Sequence, residues 1–230
     1  GKLVQPRKLD QSQMGMICPA ETPEGASVGL VKNMALSTNI SLAMNSTFIR
    51  NILIEQGVEI CDDTYTYNLK FSNKNIVKYL KELGNKNNVF IQINGDIIGY
   101  HSEPNILYSK LKHYKRCGII YPMISIVWNI KDGGIIISTE AGRMFRPLLI
   151  VDYNEKSGKR ELRIIKLLRE KKISWSEFVK DKNFDTFIAP CAGCNIIDHK
   201  YDIFEEGFIE YLDTDEINNS MISMTYSELD

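Results

Sequence analysis

Pro19, Pro23, Gly25 and Gly29 all fall within CPAETPEGASVG, residues 18–29, and together they exclude a helix or an unbroken strand there. Each proline fixes φ at about −65° and biases the residue before it towards extended geometry, so Cys18 and Thr22 are held out of helix. Gly25 and Gly29 supply freedom where the chain must turn or approach another backbone closely. The spacing predicts a stiff loop that presents Glu21 and Glu24 in fixed directions, with little entropy left to lose on ordering. Around it, residues 1–44 are rich in Pro, Gly and short polar residues and run into the mostly apolar GLVKNMALSTNISLAM. This opening reads as an extended, loop-rich strip that ends in a strand or buried segment and does not fold alone.

The whole chain has 230 residues, enough for one large domain or two to three small ones around a real core. With 43% hydrophobic and 25% charged residues it has the composition of an ordinary globular protein. A formal net charge of −1 excludes a glove for nucleic acid that is basic over its whole surface. Locally the charge is uneven: Lys156, Lys159, Arg160, Arg163, Lys166, Arg169, Lys171 and Lys172 form a basic run, and no Lys or Arg follows Asp202. The acidic end, with Glu205, Glu206, Glu210, Asp213, Asp215 and Glu216, either attracts that run or faces another partner; the plainer reading is two solvated faces. Five cysteines without a secretory framework, no apolar run of about 20 residues and no signal peptide predict an intracellular protein with reduced thiols. The sequence starts at Gly1 and stops at Asp230 without a terminating signal, and it reads as a piece of something larger.

Several elements are legible beyond the strip. NSTFIRNILIEQG, residues 45–57, predicts a helix with Asn45 or Ser46 as N-cap and Gly57 at its exit. NKNIVKYLKELG, 73–84, repeats that grammar. NVFIQINGDIIGY, 88–100, predicts a hairpin turning at Asn94-Gly95, and SEPNILYSKLKHYKRCG predicts an amphipathic helix from Pro104 to near Gly118. In that helix Leu107, Leu111 and Tyr114 form the apolar stripe, while Lys110, Lys112, Lys115 and Arg116 lie elsewhere. Strands follow in ISIVWNI, in IIIST after the turn KDGG, and in RPLLIVDY. KRELRIIKLLREKK, 159–172, reads as a helix, ISWSEFVKD carries a Ser174/Glu177 capping box, and EEGFIEYLDTDEINNSMISM reads as two short strands around an acidic loop.

Several chemistries can be weighed on these residues. His101, His113 and His199 are scattered, with no G-x-S-x-G and no paired nucleophile, so each reads as structural or solvent-exposed. Phosphate-cradling glycine loops are missing too. Cys191, Cys194 and His199 have the spacing of a partial zinc site that lacks its fourth ligand, for which Cys61, Cys117 and Asp198 are candidates; the alternative is two buried or loop thiols. Asp213-Thr214-Asp215 has the spacing of Mg²⁺-binding aspartates but reads better, beside Glu216, as a solvated acidic turn. The stiff acidic loop between Lys2, Arg7, Lys8 and Lys32 suits a crevice in which cations hold phosphates and carboxylates accept from bases or order arginines; a plain rigid loop fits the same residues.

GKLVQPRKLDQSQMGMICPAETPEGASVGLVKNMAL resembles the fork region of the second-largest, β-like subunit of multisubunit DNA-directed RNA polymerases. VFIQINGDIIGYHSEPNILYSKLKHYKRCG, TEAGRMFRPLLIVD and EEGFIEYLDTDEINNSMISM resemble further stretches of that family, in the same order. The interval 172–200 is least like it. The resemblance implies an α+β chain: an extended loop and strand fork segment over 1–44, then two small mixed modules with hairpins and short amphipathic helices. These are an external 1-like module over 45–127 and an external 2-like module over 128–230. It implies that Arg7, Gln13, Glu21, Thr22, Pro23, Glu24, Gly25, Ser27 and Val31 line the nucleic-acid channel near the active centre and shape it without breaking bonds.

On the same resemblance, the partners are the largest subunit, other polymerase subunits, the DNA template and the RNA–DNA hybrid, with no membrane. Mg²⁺ in the assembled enzyme is held mainly by the largest subunit, so the chain alone is expected to be inert. Asp10 and Gln13 stand where the family commonly has histidines, and Met14 where it has an aromatic. Ala26 and Ser27 replace the bacterial Pro and Asn at the rifamycin pocket, and Ala20 resembles the eukaryotic, archaeal and viral pattern. With the excess of Asn, Ile and Lys, this points to a eukaryotic or large-DNA-virus enzyme, in the nucleus or in a cytoplasmic virus factory or virion. The alternatives are a non-catalytic scaffold paralogue and a zinc-stabilised binding module on Cys191, Cys194 and His199.

Overall fold

The computed structural model describes residues 3–60, 88–154, 158–171, 174 and 207–229. They form an α+β protein in two compact units. One unit takes the described residues within 1–42, 141–187 and 207–230, and the other those within 43–140. The expected helix over 73–84, the Ser174/Glu177 box and the Cys191, Cys194 and His199 triplet lie outside the described residues.

The unit within 43–140 is a five-stranded sheet with helices α1, Ser46–Glu55, and α2, Pro104–Arg116. Asn45 caps α1, its side chain accepting from Thr47 N at 2.9 Å, and the chain leaves through Gly57 at φ 85°. Pro104 begins α2, where a missing N–H costs nothing. β2 is Glu59–Ile60, β3 Val89–Ile93, β4 Asp96–His101, β5 Ser125–Asn129 and β6 Gly134–Ser138, in the order β2-β4-β3-β6-β5. The hairpin β3–β4 turns at Asn94 and Gly95 with φ of 50° and 95°, the positive values that this residue pair tolerates. β3 runs parallel to β6, Ile91 opposite Ile135 and Ile93 opposite Ile137, while Ile137 also faces Ile126 of β5. These isoleucines form one core with Ile49, Ile52 and Leu53 of α1 and Leu107, Leu111 and Tyr114 of α2. Each buried side chain of this kind contributes about 1.5–3 kcal/mol, so this cluster is the main reason the unit holds together.

The other unit is built on β1, Asn39–Ile40, β7, Met144–Leu149, and β10, Ile209–Asp213, with β7 central and both pairings antiparallel. β1 reaches Met144 and Phe145, and among the described residues the rest of β7 is unpaired on that side, which accommodates Pro147. Phe145 is buried and meets Tyr211 of β10 edge to face, centroids 5.5 Å apart. β8, Val151–Asn154, pairs with β9, Lys159–Leu162, and helix α3, Arg163–Arg169, follows directly. Helix α4, Thr214–Asn218, follows β10.

Four readings need correction, and a fifth is resolved between its alternatives. The apolar stretch 29–44 contains a strand, β1, and is not a buried segment: Leu30, Val31, Met34, Leu36, Ile40 and Leu42 are exposed, and only Thr38 and Ser41 are buried. Lys159 to Leu162 are strand rather than helix, because β8 gives them a partner register. Lys115, read as lying off the apolar stripe of α2, is buried. The basic run is not simply solvated: the Arg163 guanidinium makes a two-pronged pair with Asp152, 2.9 and 2.6 Å, and Arg169 reaches the buried Glu161 at 2.6 Å. The acidic end is one strand and a helix, not two strands around a loop, and Asp213 and Glu216 are buried.

Candidate nucleic-acid interface

Residues 3–38 pass through short 3-10 turns at Gln5–Arg7, Gln11–Gln13 and Gly25–Ser27. The stiff loop is a fold-back. Its two ends are held by Cys18 N donating to Asn33 O at 2.9 Å, Ala35 N donating to Met16 O at 3.0 Å, and a bridge between Ile17 and Met34. Inside it Thr22 takes both roles open to a hydroxyl, accepting from Gly29 N at 2.9 Å and donating to Val31 O at 3.1 Å. Asn33 adds a bond from Nδ2 to Glu21 O at 3.2 Å.

Arg7 spans the turn at the tip. Its Nη1 donates to Ala26 O at 2.8 Å and Val28 O at 2.7 Å, and its Nε to Leu3 O at 3.1 Å. Gly29, at φ 73°, lets the loop close against the backbone of Arg7: a Cβ there would lie 2.6 Å from Arg7 O. Gly25, at φ 82°, has open space around it and is required only for its backbone angle.

The structure thus sorts the expected site residues. Arg7, Thr22 and Gly25 are spent on the loop's own geometry. Glu21, Pro23, Glu24, Ser27 and Val31 are exposed on it, next to exposed Lys32. Gln13 points the other way, since its Oε1 is buried. Asp10 takes both donors of Ser12, Oγ at 2.6 Å and N at 3.0 Å. The Ser12 hydroxyl first and its backbone N–H second hold the Asp10 carboxyl below the usual aspartate range. Asp10 is therefore the acceptor-only cap of the turn Gln11–Gln13. Sequence reasoning missed Thr38, whose hydroxyl donates to Gly15 O at 3.1 Å and Met16 O at 3.0 Å, and Arg146, which lies against Gly15. The left-handed turn glycine ahead of the CPAETPEG stretch is the one signal in the sequence for this anchor.

Asp213 and Asp215 do not fit a divalent cation. Asp213 is buried, and its oxygens accept from Glu216 N at 2.9 Å and from Arg143 Nη1 at 2.8 Å. With the Glu216 side chain returning to Asp213 N, the arrangement is a capping box closed by an ion pair. Asp215 is exposed on the first turn of α4. Among the described residues, no three His, Cys, Asp or Glu side chains are grouped to hold a metal ion. His101 Nδ1 accepts from Glu103 N at 3.0 Å, and His113 lies 3.5 Å from the Cys117 sulfur, both within the unit of residues 43–140. Among the described residues no helix is long and apolar enough to cross a membrane.

Three family models match in order along the chain: RNA polymerase Rpb2 domain 3 over residues 1–40, domain 4 over 91–152 and domain 5 over 201–230. The RNA polymerase II subunit RPB2 of Schizosaccharomyces pombe is 35% identical over 100% of this chain, and that of Meyerozyma guilliermondii 33% over 100%. The RNA polymerase II subunit 2 of Arabidopsis thaliana is 32% identical, again over 100% of the chain. The chain spans 17% of the length of the first two relatives and 16% of the third. Consecutive domains in order, with relatives aligned from end to end of the chain, support a second-largest RNA polymerase subunit as its family.

Proposed function

We propose that this chain, as part of a second-largest RNA polymerase subunit, forms a wall of the nucleic-acid channel beside the active centre during template-directed RNA synthesis, with residues 18–31 as its channel face. One observation carries the reading: the loop is braced by Arg7, Thr22, Asn33 and its own backbone, which leaves Glu21, Glu24, Ser27, Val31 and Lys32 exposed on a preorganised surface. Such a surface binds without an ordering cost. Lys32 suits a phosphate oxygen. Glu21 and Glu24 accept from base amino groups or neighbouring arginines and repel phosphates from the rest of the wall. The loop positions the polynucleotide and makes or breaks no bond.

In this reading the DNA template and the RNA–DNA hybrid are the nucleic-acid partners, and the largest and other polymerase subunits are the protein partners. Mg²⁺ is held by the largest subunit and supplies the charge neutralisation of nucleotidyl transfer. The relatives come from fungi and a plant, which favours a eukaryotic-type enzyme working in the nucleus over a viral one.

The test is Glu24→Ala in the assembled enzyme. Glu24 is exposed, so its loss changes stability by no more than about 0.5 kcal/mol, while elongation rate or fidelity falls. Wild-type elongation and fidelity would remove Glu24 from the channel face. The isolated chain, given template, nucleotides and Mg²⁺, incorporates nothing.

A further inference from the structure

The groups beneath the loop have a more specific arrangement than its exposed face. Gln13 O accepts from both Met16 N, 3.0 Å, and Ile17 N, 2.9 Å, which closes a turn over residues 13–17 with Gly15 at φ 73°. Met16 is completely buried, and Thr38 clamps the carbonyls of Gly15 and Met16. A Cβ built on Gly15 would lie 2.2 Å from Nη1, 2.4 Å from Cζ and 2.7 Å from Nε of Arg146. Those three distances put the point above the flat of the guanidinium, nearest Nη1, so the Gly15 backbone rests face-on against the arginine. Arg146 belongs to β7, opposite Leu212 of β10. Its Nε, a donor, and Gln13 Oε1, an acceptor, are both buried without a hydrogen-bond partner among the described residues. Buried polar atoms left so cost about 1–3 kcal/mol each, so packing at this spot outweighs polar satisfaction.

We infer that Arg146 is a positioning residue: its guanidinium is the floor on which Gly15 sits, and this contact sets the placement of loop 18–31 over the sheet β1-β7-β10. Residues 16–18 leave that floor to pair with 33–35, so both ends of the loop inherit its position. A planar guanidinium gives a flat support that a lysine ammonium does not. Only a glycine accepts both the left-handed backbone and the lack of space. The role in synthesis rests on the channel reading above.

The experiment is a double-mutant cycle, Gly15→Ala and Arg146→Ala, in the assembled polymerase, read by hydrogen exchange at the Cys18 and Ala35 amides and by elongation at saturating and limiting nucleotide. Gly15→Ala is expected to speed exchange at both amides about tenfold and to lower kcat about tenfold with little change in KM, as a small misplacement beside a reaction centre does. In the Arg146→Ala background the added methyl has room and only the strain of the left-handed backbone remains, so Gly15→Ala costs less than it does with Arg146 present. Arg146→Lys, which keeps the charge and removes the plane, gives an intermediate loss and serves where Gly15→Ala fails to assemble. Additive effects in the cycle, or Arg146→Lys indistinguishable from wild type in exchange, overturn the inference. If Glu24→Ala impairs elongation while the cycle is additive, the channel reading stands and the positioning role alone is lost. If exchange responds as expected while elongation ignores every variant including Glu24→Ala, the channel reading fails and the positioning role in synthesis goes with it.

Discussion

Arg7→Met should loosen the tip of the loop without releasing its base. The wild-type guanidinium donates to Ala26 O and Val28 O at 2.8 and 2.7 Å, two bonds that a thioether cannot make. Charged donors are worth about 1.5–3 kcal/mol per bond, but water replaces part of that at a half-buried site, which leaves about 1 kcal/mol each. A combined loss of about 2 kcal/mol raises the population of the opened tip about 30-fold. The amides that report it are Gly29 N, bonded to Thr22 Oγ1, and Leu30 N, bonded to Ser27 O at 3.1 Å. Hydrogen exchange in the intact subunit should accelerate at these two. It should change little at Cys18 and Ala35, whose partners lie at the base and do not involve Arg7. Arg7→Lys keeps the charge but not the bond from Nε to Leu3 O and falls between. Gly29 and Leu30 exchanging within about twofold of wild type would refute the assignment of Arg7 as the tip clamp.

Three further outcomes follow from single sites. Asp213→Ala removes both the cap of α4 and the partner of Arg143, so it should destabilise the subunit by about 3 kcal/mol, seen as a lowered thermal midpoint; an unchanged midpoint would mean the ion pair is not formed. Gly134→Ala places a methyl 2.2 Å from the Phe90 ring and should cost about 1–3 kcal/mol by overpacking, with relief when Phe90→Leu is added; no relief would show that the ring already moves freely. Glu228 accepts from the backbone N–H of Met224 and then of Thr225, which holds its carboxyl below the ordinary glutamate value. A depressed carboxylate contributes stability above its unfolded pKa and loses it as pH falls through the folded one, so the turn 223–229 should loosen only below the ordinary glutamate range. NMR titration of the Met224 and Thr225 amides at or above that range would contradict this.

Local chemistry makes several elements legible in the sequence itself. Asn94-Gly95 supplies its own positive φ, and Asn45, Gly57 and Pro104 mark helix ends with groups that act within a few residues. The parallel pairing of β3 with β6 is not legible, because the alternating isoleucines of both strands specify a buried face but no partner. Charge misleads twice. Asp213 and Glu216 read as solvated although their i, i+3 spacing is that of a capping box, and Lys115 reads as lying off the apolar stripe although it is buried. In the candidate site, the prolines and glycines announce a rigid loop. What Arg7 and Thr22 bond to is a tertiary fact, and so is the contact of Gly15 with Arg146, which are far apart in the sequence. For apolar residues 29–44 the choice between a strand and a buried segment stays open in the sequence, because hydrophobicity does not say which neighbour covers it.

The central claim is that the exposed face of residues 18–31 meets nucleic acid. A photo-crosslinking side chain placed at Glu24 in the assembled polymerase, stalled on a template with labelled DNA and RNA strands, tests it directly. A crosslink from Glu24 to the nucleic acid is expected, strongly reduced when the same group is placed at the buried Met16. Crosslinks to protein alone from Glu24, in complexes shown to be active in extending the RNA, would contradict it.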